Sequence, residues 1–170
     1  MKGILTLGFV VAVLLLGRGE ELRASLQQAP APQETGVGQR EKRGDPIEFE
    51  RRGLPVTNDD LLILTKADEL LQDESAWNRA DDRECQDDEA TGKRSLFCAL
   101  QKASIDVLGT YDHRRVALQE VRFAVEDATR GRNFEHRLRD FNNLPTTRLA
   151  DVKAVLRVAT DRVRLRLKTK

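Results

Sequence analysis

Residues that usually carry catalysis or hold metals are scarce in this chain: two His, two Cys and one each of Tyr, Trp and Met among 170 residues. Acid–base and nucleophilic chemistry and zinc binding draw mostly on such side chains, so few catalytic designs are open to it. An excess of one charge is missing too. With 29 basic and 28 acidic residues the formal charge is +1, and the bulk composition does not single out nucleic acid or an anionic membrane as a partner. At 170 residues, two domains with separate cores are not expected. Several signatures are absent as well: Gly-x-Ser-x-Gly, His-Glu-x-x-His and a glycine loop that could cradle phosphate.

One long hydrophobic run is present. Met1, Lys2 and Gly3 precede thirteen uncharged residues, Ile4 to Leu16. At 1.5 Å per residue such a helix spans about 20 Å, short of the roughly 30 Å hydrocarbon core. A basic start followed by a short apolar stretch reads as a signal peptide or short anchor over residues 1–24. Cleavage is expected after Gly19 or Ala24, because Ala31 is followed by Pro32. The expected location is therefore periplasmic or secreted, with membrane attachment only through an uncleaved N-terminal segment.

Residues 25–56 hold eight Gly or Pro in 32 positions, with five basic and five acidic residues, which reads as a disordered linker. The dibasic stretch Gln39 to Arg43 lies within it.

From Thr57 the pattern turns helical, and the expected helical domain covers 57–167. Thr57 to Asp60 offers a cap with acids in the first turn, ahead of Leu61, Leu64 and Leu71, predicting a helix over 58–73. Between Ser75 and Arg94 the apolar period disappears, leaving Trp77 as a lone anchor before an acidic loop. Ser95 caps a second helix over 95–108, which Gly109 stops. Asp112 caps a third, carrying Ala117, Leu118, Val121, Ala124, Val125 and Ala128 and ending at Gly131. Phe134, Leu138 and Phe141 make a short fourth, broken at Asn142-Asn143-Leu144-Pro145. Thr147 opens a fifth with Leu149, Val152, Val155, Leu156, Ala159 and Val163 on one face. The alternating Val163 to Lys168 reads as its fraying end, and Thr91-Gly92-Lys93 could turn a small hairpin. Each stripe must be buried against another, so the fold class is all-α, a small bundle of about five helices with an acidic loop between helices one and two.

An oxidising compartment lets Cys85 and Cys98 pair. In the chain-entropy model, closing a loop with twelve residues between them stabilises by about 3 kcal/mol. The other reading makes Cys98, within Leu96-Phe97-Cys98-Ala99-Leu100, a small buried hydrophobe.

Charge is segregated: residues 57–91 carry twelve acids against three bases, net −9, and residues 92–170 carry eighteen bases against nine acids, net +9. The acidic loop is expected to fold back on the basic helices as an intramolecular complement. Asp81, Asp82, Glu84, Asp87, Asp88 and Glu89 are hard oxygen donors, yet they fall in adjacent pairs rather than at the alternate positions of a calcium loop, so no metal is expected. Arg157, Arg162, Arg164, Arg166 and Lys168, close to the C-terminus, are candidates for binding an anion, although cations at a helix end also complement its dipole. Nucleic acid is disfavoured by export and by the lack of exposed aromatics for stacking bases. An enzyme, such as a hydrolase of envelope material, would require His113, His136 and one of Asp106, Asp112 or Asp140 to converge. Asp112 already reads as a cap, and His136, among Glu135, Arg137 and Arg139, reads as solvated.

Trp77, Gly92 in a turn, Phe97-Cys98-Ala99-Leu100, Phe141-Asn142-Asn143, Thr147 and Val152 to Leu156 together resemble an uncharacterised bacterial family of small all-α proteins, a domain of unknown function. Its pattern is a Trp, a Gly-containing loop, a Trp-Cys-Ala-Leu-Gly-Ala helix start and a Trp-Asn-Asp segment before a Thr-capped last helix. Here Phe replaces Trp twice, Asn143 stands for Asp, and Gln101-Lys102-Ala103 stands for Gly-Ala. The resemblance covers about residues 58–164. It implies an all-α domain with Cys98 buried near Trp77, structural even without Cys85, and it transfers no activity.

The expectation is an exported protein with a non-catalytic binding or structural role, without a cofactor. Its partner would be a protein or an anionic envelope polymer; the alternatives are a hydrolase or a basic-surface binder of anionic polymer or lipid.

Overall fold

The computed structural model describes residues 52–130 and 132–169. The expected signal segment and the linker up to residue 51 lie outside the described residues. Within them the fold is all-α, with six helices: α1 (Asn58–Leu70), α2 (Gln86–Thr91), α3 (Leu96–Leu108), α4 (Val116–Ala128), α5 (Arg137–Asn143) and α6 (Leu149–Lys168). α1 packs against α3, α6 and α4, α4 against α6 and α5, and α3 against α5. One core results, including Ile63, Leu64, Leu100, Leu118, Val152 and Leu156, each with 0% of its surface exposed. Fully burying such a side chain contributes about 1.5–3 kcal/mol. Val56 is also buried and Leu54 packs on the core, so packing begins just ahead of the first helix.

The helix ends show which local signals decided. Ser95 Oγ accepts from the Cys98 amide at 3.1 Å, and Gly109 closes α3 in the left-handed region at φ 72°. Both act as expected. α1 stops at Leu70, short of residue 73, because the Asp73 carboxylate accepts from the amides of Ser75 (2.8 Å) and Ala76 (3.2 Å) and holds a turn there. α4 starts at Val116 and is not capped by Asp112, whose Oδ1 accepts from the Arg114 amide in a preceding turn.

The acceptor for α4's first turn comes from another helix. Asp60, 1% exposed, takes the Ala117 amide (3.2 Å) and Arg115 Nε (3.1 Å) on Oδ1. Its Oδ2 takes the Thr57 amide (2.8 Å) and Thr57 Oγ1 (3.0 Å). One carboxylate thus serves the N-termini of both α1 and α4, where helix amides have no partner of their own.

Thr147 does not cap α6 either. Its hydroxyl donates to the Phe141 carbonyl at 2.7 Å, and the Asp151 carboxylate accepts the Arg148 amide at 2.9 Å instead. Residues Val163 to Lys168 remain helical. The sixth helix, α2, lies in the stretch read as an acidic loop; its sequence Gln-Asp-Asp-Glu-Ala-Thr has no apolar stripe to announce it. Left-handed Gly92 (φ 69°) ends it, so no hairpin forms at Thr91-Gly92-Lys93.

Candidate functional site

Trp77, Cys98, Asn142 and Asn143 of the family pattern meet around the connection between α1 and α3. Trp77, 4% exposed, lies on this connection, and its indole Nε1 donates to Asn142 Oδ1 at 2.8 Å. The same oxygen accepts the amide of Leu96 at 3.1 Å. Leu96 is the first residue of α3, so Asn142 supplies an acceptor that the helix cannot. The Asn142 amide nitrogen donates to the Asn78 carbonyl (3.0 Å) and to Asn143 Oδ1 (3.1 Å). Asn142 is completely buried, and both ends of its amide are used.

Asn143 continues the clamp. Its Oδ1 accepts the Asp81 amide at 2.8 Å and its Nδ2 donates to the Asp81 carbonyl at 2.9 Å. An Asp at this position could repeat only the first of these bonds. Main-chain bonds from Arg94 N to Ala76 O (2.8 Å) and from Asn78 N to Arg94 O (2.9 Å) close the connection on itself. Arg79 fastens its outer side, with Nη2 donating to the carbonyls of Pro145 and Thr147, both at 3.0 Å, and its guanidinium 5.3 Å from the Trp77 ring centre.

The sulfurs of Cys85 and Cys98 lie 2.10 Å apart, at disulfide distance, with their Cα atoms 5.5 Å apart. Cys98 is buried in the same core as Trp77. Cys85 and Arg83 both sit in the left-handed region, at φ 62° and 69°, where non-glycine residues are strained. Two anchors hold this corner: the sulfur pair, and Arg83, which contacts His136 Nε2 at 2.8 Å and lies over the Phe97 ring at 5.7 Å.

His136 is therefore not solvated as its charged neighbours suggested; it is 7% exposed. A guanidinium can only donate, so Nε2 is the accepting nitrogen of the ring. Asp140 meets His136 by accepting its main-chain amide at 2.8 Å. His113 is exposed between α3 and α4, its ring 6.3 Å from that of Tyr111. Asp112 is occupied with the turn, and Asp106 pairs with Lys102 (2.5 Å) and Lys66 (3.6 Å) where α1 meets α3. The Lys102 hydrogen bond, ahead of the charges of both lysines, holds the Asp106 carboxyl below its ordinary value.

The basic residues of α6 are largely engaged. Arg162 pairs with Asp127 of α4, and Arg164 with Asp161 at 3.0 Å. Arg166 reaches Glu120 and the Leu54 carbonyl. Arg157 and Lys168 are exposed. Arg115 meets Asp59 (3.2 Å) and Asp60, and Lys153 meets Asp68 (2.8 Å), so the acids of α1 complement the basic half. Asp87 and Asp88 lie outside the described side chains, and among the described residues no cluster of three or more His, Cys, Asp or Glu could hold a metal ion. No described helix is long and apolar enough to cross a membrane.

A groove of about 530 Å³ lies elsewhere, between the last turn of α4, the α5–α6 connection and one face of α6. Phe141, Leu144, Val155 and Val158 are among its apolar lining residues, and Arg132 and Arg162 stand among its charged ones. Of its residues the sequence had marked Arg162 as an anion-binding candidate, but the groove itself was not legible, because its residues come from three separate segments.

Residues 55–162 match the model of a family of unknown function, DUF6197. The chain belongs to this family. The match begins at the residue before Val56, the first residue of the core, and ends within α6. No curated protein and no solved structure matches the chain. Within this DUF6197 domain, Trp77, Cys98 and Asn142 are buried and shared between segments. The sequence pattern had marked Trp77 and Cys98, but the reach of Asn142 to Trp77, Asn78 and Leu96 was hidden, because Asn142-Asn143 reads locally as a helix breaker.

Proposed function

We propose that the chain is exported and serves as a non-catalytic binding or structural protein in the cell envelope or outside the cell. The observation that carries the proposal is the combination of a basic start and thirteen-residue apolar run with a cysteine pair at disulfide distance. Structural disulfides form and persist in oxidising compartments, and both ends of this one are placed to hold a corner with two left-handed non-glycine residues. The non-catalytic part is supported by how the polar groups are used. Asp60 accepts four hydrogen bonds within the fold, Arg83 donates to the His136 ring, and Asp106 is paired with two lysines.

Export is tested by fusing residues 1–56 to a reporter enzyme that matures only where disulfides form. Active reporter is expected, with activity lost when Val10 and Leu14 are changed to Arg. Inactive reporter from the unaltered fusion would overturn the export reading.

A further inference from the structure

We propose that the groove between α4 and α6 binds a small single-chain amphiphile with an anionic head group. The proposal deepens the binding reading by naming a site and a ligand class. A volume of about 530 Å³ lies within the roughly 300–1,000 Å³ typical of small-molecule sites. The space exists because the facing positions of the two helices are Ala124, Ala128 and Ala154, whose side chains are too short to close it. Val158 faces this space and is 40% exposed, whereas Val152, Val155 and Val163 on the same helix are buried. An apolar tail would cover it.

The charges around the groove select the head group. Both carboxylates there are committed: Asp127 to Arg162, and Asp151 to the Arg148 amide at the positive end of α6. The cations are less fully used. Arg132 is exposed at the groove and has no acidic partner among the described residues. An anionic oxygen would give this exposed guanidinium a charge-assisted hydrogen bond. A cationic head would meet the Arg132 guanidinium, while Asp127 and Asp151 are held by Arg162 and the Arg148 amide.

The test titrates the purified full chain with decanoate, decanol and decyltrimethylammonium, each below its micellar concentration, following methyl NMR shifts and binding heat. Saturable one-to-one decanoate binding is expected, with shifts centred on Ala124, Ala154, Val155 and Val158 and affinity at least tenfold above that of the other two probes. Arg132→Gln should remove most of that advantage. Val158→Glu, at a partly exposed position that leaves the core intact, should weaken decanoate at least tenfold without changing the circular dichroism spectrum. Equal affinity for all three probes, shifts centred elsewhere, or unchanged binding by the Val158→Glu protein would overturn the proposal. Because this binding is measured on purified protein, its failure would leave the export reading standing, and a failed export test would leave the groove intact.

Discussion

Replacing Asn142 by Leu keeps the branching and the number of heavy atoms of a fully buried side chain and removes all of its polar atoms. Two donors then lose their acceptor: the Trp77 indole N–H, now at 2.8 Å, and the Leu96 amide at the start of α3, now at 3.1 Å. Both residues are themselves buried, at 4% and 0% exposure, so water does not readily replace the lost oxygen. Each orphaned buried donor costs about 1–3 kcal/mol, which puts the variant about 2–6 kcal/mol below the parent. A domain's whole stability is about 5–15 kcal/mol, so the effect is large. The assay is equilibrium urea unfolding by far-ultraviolet circular dichroism, where the midpoint should fall while the slope stays constant. The cost should shrink by about 1–3 kcal/mol when Asn142→Leu is made in a Trp77→Phe background, because the indole donor is already gone. A loss below about 1 kcal/mol, or the same loss in both backgrounds, would refute the assignment of Asn142 as the shared acceptor.

Asp60→Ala should cost about 1–3 kcal/mol by denaturation, since it leaves the buried Ala117 amide without its acceptor while Arg115, partly exposed, keeps Asp59; Asp59→Ala, at the more exposed pair, should cost under about 1 kcal/mol. The folded Asp106 carboxyl titrates below its unfolded value, so its contribution is complete above the ordinary carboxylate value and is lost as pH falls through the lower folded value. Comparing parent and Asp106→Asn unfolding from pH 6 to pH 2 should show a gap of under about 1 kcal/mol that closes at the acid end. Retention on heparin should be weak, with elution near physiological ionic strength of about 0.15 M. Arg166→Gln should lower the unfolding midpoint more than it changes that elution, because Arg166 is bound to Glu120 and Leu54.

The five helices with apolar stripes were readable because burial imposes a 3.6-residue period, and Ser95 and Gly109 marked the ends of α3 through bonds within a few residues. α2 was not readable: a six-residue polar helix buries no face and leaves no period. The starts of α4 and α6 were misplaced because Asp112 and Thr147 satisfy different amides and carbonyls from those their sequence context suggests. The acceptor for α4 lies 57 positions earlier, on Asp60. Asn142 shows the same difficulty: its partners Trp77 and Leu96 are 65 and 46 positions away. His136 looked solvated because its neighbours in sequence are charged, yet Arg83 from a distant segment covers it. The groove between α4 and α6 has no local signal, since alanines at helical spacing look the same whether they permit close packing or leave a space.

The intact mass of the protein recovered from its native host's extracytoplasmic fraction, alkylated with and without prior reduction, tests the account most directly. The account predicts a mass from which the segment ending at Gly19 or Ala24 is missing, with both thiols protected until reductant is added. A full-length protein found only in the cytoplasm, with Cys85 and Cys98 freely alkylated, would contradict it.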